Sequence, residues 1–217
     1  MQRAVIFANG DPNDGPMVRR ALNGWHEALV VAADGGARVA AYFGVTVQAV
    51  IGDMDSLAPA ELEALAARGV HIERHPEEKD ETDLELALAW VVARGADHIR
   101  VIGGVGDRLD QTLSNVYLLA LPLLNGCDAR LVAGRQEAWL LGPGEHLVQG
   151  APGDTISLLP LNGTVRGIYT DGLYYPLRDE DLHFGPARGV SNVLAAPRGL
   201  IRVREGVLLI VQTEGRA

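Results

Sequence analysis

The first part of the chain alternates short apolar runs with longer segments in which apolar residues recur at helical spacing. Strand-like runs begin near residues 3, 29, 49, 70, 98 and 128, and helices are predicted at about 17–28, 59–68, 82–95 and 109–122. Strands and helices that alternate at this length predict a parallel α/β sheet. The clearest helix is residues 82–95, where Thr82 can act as N-cap, Glu85 stands three residues on and Gly95 ends the segment.

From about Gly142 the pattern changes to short apolar runs separated by Gly, Pro, Asn and Asp, without a helical period. This pattern is typical of a small antiparallel β domain. The sequence therefore predicts a Rossmann-like, parallel-sheet α/β domain over residues 1–141. A C-terminal antiparallel β-sandwich domain is predicted over residues 142–217.

Three of the predicted strands end in the same kind of polar loop. The loops read DGGA (34–37), GDMDS (52–56) and GGVGDRLD (103–110). In open α/β sheets, ligands bind beyond the carboxyl ends of the strands. The sequence therefore predicts that these acids and glycines lie along one rim of the sheet.

Asp53 and Asp55 lie two residues apart at the end of a strand. In an extended chain such residues point the same way, and two carboxylates on one side can share a hard cation such as Mg²⁺. A polar turn after the strand explains the same residues. From the spacing alone, both interpretations stay open.

The segment KDETD, residues 79–83, runs into the helix predicted at 82–95. An N-terminal cluster of acids accounts for Thr82 and Asp83, because acids stabilise a helix start. It does not account for Lys79, whose ammonium group gains nothing from the helix dipole. A lysine at this place can instead bind a phosphate oxygen.

The loop around Gly103 and Gly104 joins a strand to a helix. Glycines allow the backbone to approach a ligand closely, and the N-terminus of the helix offers free N–H groups to an anion. The loop matches neither the P-loop nor the usual dinucleotide-binding pattern. Arg108 can clamp a phosphate or form a surface ion pair, and Asp110 can orient or deprotonate a hydroxyl or cap the helix.

Composition and charge indicate which kinds of binding partner and which location to expect. Apolar residues make up 47% of the chain and the formal net charge is −9, so a globular core is expected and binding to nucleic acid or to a membrane surface is not. The N-terminus is predicted to be a strand rather than a signal peptide. Cys127 is the only cysteine, which excludes an intrachain disulfide and makes a cytoplasmic location the expectation.

The four motifs DGGA (34–37), GDMDS (52–56), KDETD (79–83) and GGVGDRLDQ (103–111) resemble, in order and spacing, those of the thiamin pyrophosphokinase family. GLYYPL (172–177) and GVSN (189–192) resemble its thiamin-binding domain, so the resemblance covers nearly the whole chain. It implies a catalytic nucleotide-binding α/β domain, a thiamin-binding β-sandwich and a homodimer whose active site lies between subunits. The implied reaction is Mg²⁺-dependent transfer of a diphosphoryl group from ATP to the hydroxyl of thiamin, which yields thiamin diphosphate and AMP.

Carried over position by position, the resemblance implies a role for each matching residue. The implied metal ligands are Asp53, Asp55 and Asp83, with Asp34 supporting them. The further catalytic residues are Lys79, Arg108 and Asp110. The implied ATP contacts are Asp34, Gly35, Gly36, Gly103, Gly104 and Gln111. The implied thiamin contacts are Ser191, Asn192 and Tyr175, although the residue pattern alone predicts that Tyr174 and Tyr175 belong to the core of the β domain.

This chain departs from the family pattern at a few positions. Asp107 stands where many members have glycine, Tyr175 where many have tryptophan, and Val193-Leu194 where many have an acid and an aromatic. These changes bear more on the acceptor contacts than on the nucleotide contacts. Two alternatives follow: a pyrophosphokinase for another heterocyclic alcohol such as a hydroxymethylpterin, or a non-catalytic sensor of nucleotide or thiamin. A sensor would have little need for three aspartates at the rim.

Overall fold

The structure, a computed structural model, describes residues 1–23 and 27–216. It has two compact units, which divide between Gly134 and Arg135. The boundary expected from the sequence lies later, between residues 141 and 142. The difference concerns the strand Gln136–Leu141, which pairs antiparallel with Leu208–Thr213 in the second unit.

The first unit is built on a parallel sheet. Its strands are β1 (Gln2–Phe7), β2 (Leu29–Ala33), β3 (Ala49–Gly52), β4 (His71–Arg74), β5 (Ala96–Ile102) and β6 (Asp128–Ala133). They lie in the order β6-β5-β1-β2-β3-β4, and each neighbouring pair is parallel. Four consecutive residues of β1, 4–7, are buried. Because successive strand residues point to opposite faces, both faces of the sheet are covered here.

Helices connect the strands. They are α1 (Pro16–Asn23), α2 (Gly36–Tyr42), α3 (Pro59–Ala67), α4 (Asp83–Ala93) and α5 (Leu109–Leu118), followed by a 3₁₀ turn at Pro122–Leu124. The predicted cap of α4 is confirmed, since the Thr82 hydroxyl accepts a hydrogen bond from Glu85 N at 3.2 Å. The first helix was predicted to run to Ala28; it is described over Pro16–Asn23, residues 24–26 lie outside the described part of the chain, and residues 27 and 28 are not helical.

The second unit consists of antiparallel strands in two sheets. The strands are β7 (Gln136–Leu141), β8 (Gly144–Gln149), β9 (Thr155–Pro160), β10 (Val165–Asp171), β11 (Arg178–Leu182), β12 (Asn192–Val193), β13 (Arg198–Val203) and β14 (Leu208–Thr213). One sheet has the order β12-β9-β14-β7 and the other β11-β10-β13-β8. A cluster of buried apolar side chains, with Trp139, Ile156, Ile168 and Ile201 among them, forms the core of the unit.

The predicted fold class is confirmed: a parallel α/β unit is followed by an antiparallel β-sandwich. Among the described residues, no helix is long and apolar enough to cross a membrane.

Candidate active site

A cleft of about 650 Å³ opens in the first unit where β1, β2, β3 and β5 end. The sequence-predicted residues that line it are Asp34, Asp53, Asp55, Lys79, Asp83, Gly103, Gly104, Arg108 and Gln111. These residues come from separate loops that follow parallel strands or begin α4 and α5. Since parallel strands end at a common edge, the topology of the sheet brings these loops together.

Three carboxylates meet in this cleft. One oxygen from each of Asp34, Asp53 and Asp83 lies within 4.8 Å of the other two. Asp34 follows β2, Asp53 follows β3 and Asp83 is the first residue of α4. A Cβ at Gly52 would lie 2.8 Å from Asp83 Cγ and 3.1 Å from Asp34 Cβ. The glycine therefore allows the carboxylates to approach each other.

Lys79 supplies positive charge to these carboxylates. Its Nζ donates a hydrogen bond to Asp53 Oδ2 at 2.7 Å and lies 3.2 Å from Asp83 Oδ1. The hydrogen bond from Lys79 holds the pKa of Asp53 below its usual value. Burial lowers the pKa of Lys79, but the hydrogen bonds and charges of Asp53 and Asp83 outweigh it, so the pKa is raised.

The cluster still carries more negative charge than Lys79 neutralises. Burial, followed by the charges of Asp53 and Asp34, raises the pKa of Asp83 above its ordinary value, although Lys79 acts in the opposite direction. Asp34 is 2% exposed; its Oδ2 accepts from Ser56 N at 3.1 Å, while its buried Oδ1 has no hydrogen-bond partner among the described residues. Such an oxygen needs a cation or a donor. The carboxylates therefore fit a divalent, oxygen-binding ion.

Asp55 lines the same cleft but lies outside the three-carboxylate cluster. Of the two interpretations that the spacing left open, the structure has the polar turn, because Met54 has φ +69° and its buried side chain packs in the core of the first unit. The chain turns here, and Asp53 Oδ1 accepts from Asp55 N at 3.1 Å. Asp55 Oδ1 accepts from the Ser56 hydroxyl at 3.0 Å. Both residues therefore line the cleft from a turn, and Asp53 belongs to the three-carboxylate cluster.

Gly35 and Gly36 do not line the cleft. A Cβ at Gly36 would lie 1.9 Å from Phe7 O, and one at Gly35 would lie 2.4 Å from Asn9 Oδ1. Both glycines thus let the start of α2 pack tightly against the end of β1. This packing is a reason for their presence that does not involve ATP.

Arg108 and Asp110 form an exposed ion pair at the start of α5. Arg108 Nε donates to Asp110 Oδ1 at 3.1 Å, and Nη2 donates to Oδ2. The hydrogen bonds from Arg108 lower the pKa of Asp110. Arg108 lines the cleft and Asp110 does not.

The cleft also contains polar residues that the sequence reasoning missed. They are Asn9, Asp11, Thr112 and Asn115. Asn9 and Asp11 follow β1 in the stretch NGD, which has the same apolar-then-polar design as the loops after β2 and β3. That pattern could have identified them. Thr112 and Asn115 lie three residues apart on α5, a spacing that places them on one face.

The predicted acceptor residues lie in the second unit. Asn192 is 6% exposed; its Oδ1 accepts from Tyr175 N at 3.0 Å and its Nδ2 donates to Tyr175 O at 2.7 Å. Ser191 is exposed with φ +60°. The expectation that Tyr174 and Tyr175 belong to the β-domain core is wrong: they are 67% and 61% exposed. Their rings pack edge to face, 4.8 Å apart, on a loop that Asn192 holds.

Two family models match the chain. One is described as thiamin pyrophosphokinase, catalytic domain, and matches residues 22–131; the other is described as thiamin pyrophosphokinase, vitamin B1 binding domain, and matches residues 145–208. The thiamine pyrophosphokinase of Bacillus subtilis is 28% identical over 218 residues, which cover 98% of this chain and 99% of that protein.

Solved structures of similar proteins have the same fold. A crystal structure of thiamine pyrophosphokinase from Bacillus subtilis has a TM-score of 0.87 at 27% identity and covers 98% of this chain and 99% of that one. Yeast thiamin pyrophosphokinase, at 17% identity, has a TM-score of 0.78 over 98% of this chain and 86% of that one, a likeness of fold alone. From the matches of both family models, the chain belongs to the thiamin pyrophosphokinase family.

Proposed function

We propose that the cleft of the first unit transfers the diphosphoryl group with Mg²⁺ as its divalent ion. Asp53 and Asp83 of the three-carboxylate cluster would hold the ion with Asp34 behind them, and Asp55 would reach it from the same cleft. As a member of the family, the chain is an ATP-dependent diphosphotransferase that uses ATP and thiamin. The observation that carries the proposal is the meeting of three carboxylate oxygens within 4.8 Å. Hard oxygen ligands of this kind suit Mg²⁺.

The reaction requires one bond to form and one to break. The hydroxyl oxygen of thiamin bonds to the β-phosphorus of ATP, and the bond from that phosphorus to the oxygen bridging to the α-phosphate breaks. AMP leaves with the bridging oxygen, and the hydroxyl proton is released. Transfers of this type depend on positioning and on stabilisation of charge more than on covalent catalysis.

The charges in the cleft support separate roles for a divalent ion and for Lys79. Asp34, Asp53 and Asp83 against the single ammonium of Lys79 leave two negative charges uncompensated, which a divalent ion would balance. When bound, that ion neutralises phosphate charge and aligns the triphosphate. Lys79 would then be free to hold a phosphate oxygen as a compact charge.

Arg108 is the second cation proposed for the triphosphate. A guanidinium group can bind phosphate oxygens through two parallel hydrogen bonds, and Asp110 engages Arg108 in that manner now. We assign Asp110 to orienting Arg108 rather than to taking the hydroxyl proton. A carboxylate whose pKa is lowered by a neighbouring arginine is a weak base.

The acceptor is proposed to bind at Ser191 and Tyr175, and Asn192 holds the loop that carries Tyr175. The side-chain amide of Asn192 is hydrogen-bonded to the backbone of Tyr175, so Asn192 would affect thiamin binding through the position of that loop. An exposed aromatic pair suits the cationic ring of thiamin. We further propose a homodimer in which the site lies between the nucleotide-binding part of one subunit and the thiamin-binding part of the other.

Product identification tests the function. Wild-type protein with ATP, Mg²⁺ and thiamin should form AMP and thiamin diphosphate in equal amounts, measured by mass spectrometry. A hydroxymethylpterin supplied in place of thiamin should give no product. Formation of ADP instead of AMP, or no product from thiamin with any divalent metal, would contradict the proposal.

A further inference from the structure

The glycine-rich segment 102–106, at the end of β5, has every carbonyl oxygen in a hydrogen bond. Each carbonyl from residue 102 to residue 106 accepts a hydrogen bond from outside the loop. The donors, in loop order, are Ala8 N, Gly10 N, Asn115 Nδ2, Asn13 Nδ2 and Thr112 Oγ1, at 2.8, 2.9, 2.8, 3.0 and 3.3 Å. Two of these donors are backbone groups of the loop after β1, and three are side chains.

The N–H groups of the same loop are used differently. Gly106 N donates to the Thr112 hydroxyl at 3.2 Å. Within residues 1–23 and 27–216, the N–H groups of Gly103, Gly104 and Val105 have no acceptor. Gly103 and Gly104 are buried at the wall of the cleft. A buried backbone N–H without an acceptor is rare in folded proteins, so these donors call for a ligand with acceptor oxygens.

We propose that Asn13, Thr112 and Asn115 are positioning residues that hold the loop so that its free N–H groups face the phosphate oxygens of the nucleotide. The inference rests on the proposed function and adds to it the residues that prepare the loop. Successive free backbone N–H groups form an anion-binding concavity. An unheld peptide in such a loop can turn its carbonyl towards the anion, which would repel it. A carbonyl and the N–H of the next residue belong to one planar peptide, so the bond from Asn115 to Gly104 O prevents that rotation at the N–H of Val105. Asn13 and Thr112 fix the two peptides that follow.

The three side chains act from two directions. Thr112 and Asn115 belong to α5, and their hydrogen bonds tie the helix to Gly106 and Gly104. Asn13 belongs to the loop after β1 and ties it to Val105. None of the three needs to touch the nucleotide for this effect. Their loss should therefore weaken binding of the phosphates and leave the acceptor site unchanged.

The test uses isosteric changes on α5. Thr112→Val removes the hydroxyl and keeps the shape, while Asn115→Asp replaces a donor by an acceptor that repels the Gly104 carbonyl. Loss of one such hydrogen bond predicts a rise of about threefold to tenfold in the Kd for ATP, and Asn115→Asp should give the larger rise. Thr112→Ser keeps the hydroxyl and should bind ATP with the Kd of wild type. Ser114→Ala is the matched control, because Ser114 lies between the two residues on α5 and does not line the cleft.

Calorimetric titration with ATP and with inorganic pyrophosphate gives the Kd directly, and steady-state assays give the KM for thiamin. We expect weaker binding of both phosphate ligands, an unchanged KM for thiamin and a thermal midpoint like that of Ser114→Ala. Equal Kd values in wild type, Thr112→Val and Asn115→Asp would overturn the inference. A rise in the KM for thiamin equal to that for ATP would overturn it too. A wild-type protein that binds ATP but makes no AMP would contradict the proposed function instead.

Discussion

At the scale of single residues, the main feature of the cleft is a group of three carboxylates whose negative charge is partly neutralised by one lysine. Asp34, Asp53 and Asp83 converge, and Lys79 pairs with two of them. The sequence predicted that acids would gather at the strand ends, because parallel strands end at one edge. It could not predict that Asp55 lies outside the cluster, since the chain turns at Met54 between Asp53 and Asp55. The spacing of Asp53 and Asp55 fits a turn as well as an extended segment, so it does not decide between them.

The substitution Asp83→Asn tests this balance. We expect kcat/KM to fall by about a hundredfold or more, because a proposed metal ligand and a full charge are lost. The free energy of unfolding at neutral pH should stay level or rise, since burial disfavours the charged form of this group and raises its pKa. Steady-state kinetics and thermal unfolding measure the two effects. Glu81→Gln, an exposed carboxylate two residues away, is the control; equal loss in both variants would argue against a special role for Asp83.

At the scale of elements, the helices and strands of the first unit followed from local signals. The cap at Thr82 and the stop at Gly95 predicted α4 within two residues, because both signals act locally. The strand β7 (Gln136–Leu141) was not predicted as part of the second unit. Its partner, β14, lies far along the chain, and no local pattern specifies such a pairing. The hydrogen bonds to the glycine-rich loop could not be predicted either, because their donors come from two separate segments, the loop after β1 and the helix α5.

The pair of strands β5 and β6 offers a test of an element's stability. Asp128 on β6 accepts from Arg100 Nη2 and from Arg130 Nε, each at 2.8 Å. Burial raises the pKa of Asp128, but the two arginines outweigh it, so the pKa lies below its usual value of 3.8. A lowered pKa means that the ionised form stabilises the fold above about pH 4, and that this contribution is lost as the pH falls through the folded-state pKa.

Accordingly, Asp128→Asn should reduce the free energy of unfolding at pH 7 by roughly 1–3 kcal/mol. The deficit should shrink as the pH is lowered below about 4, because wild-type Asp128 then becomes protonated. Urea titrations at several pH values measure it, with the exposed Glu77→Gln as control. A deficit that does not change between pH 7 and pH 3 would show that charge is not its cause.

At the scale of the whole molecule, the residues proposed to bind the nucleotide and those proposed to bind the acceptor belong to different compact units. The carboxylate cleft lies entirely in the first unit, whereas Tyr175, Ser191 and Asn192 lie in the second. In the proposed homodimer, one subunit would supply the nucleotide-binding part of a site and its partner would supply the thiamin-binding part. The alternation of elements predicted both units from the sequence. Formation of a dimer depends on contacts between the surfaces of two subunits. The pattern of residues along one chain does not specify those contacts.

Mixing two impaired variants tests the shared site. Asp83→Asn disables the nucleotide part and Asn192→Ala loosens the loop at Tyr175. In a two-fold dimer with random exchange of subunits, half the dimers are mixed and each contains one intact site. An equal mixture should recover about a quarter of wild-type activity at low thiamin concentration. Activity no greater than the average of the two separate variants would show that each subunit works alone.

The central claim is that the converging carboxylates bind a divalent ion, and a Mn²⁺ titration followed by electron paramagnetic resonance tests it most directly, since free Mn²⁺ gives the signal. The account predicts that wild type and Glu81→Gln bind Mn²⁺ with equal affinity. In Asp34→Asn, Asp53→Asn and Asp83→Asn, the affinity should fall by roughly tenfold to a hundredfold. Mn²⁺ binding of wild-type strength in all three variants would contradict the account.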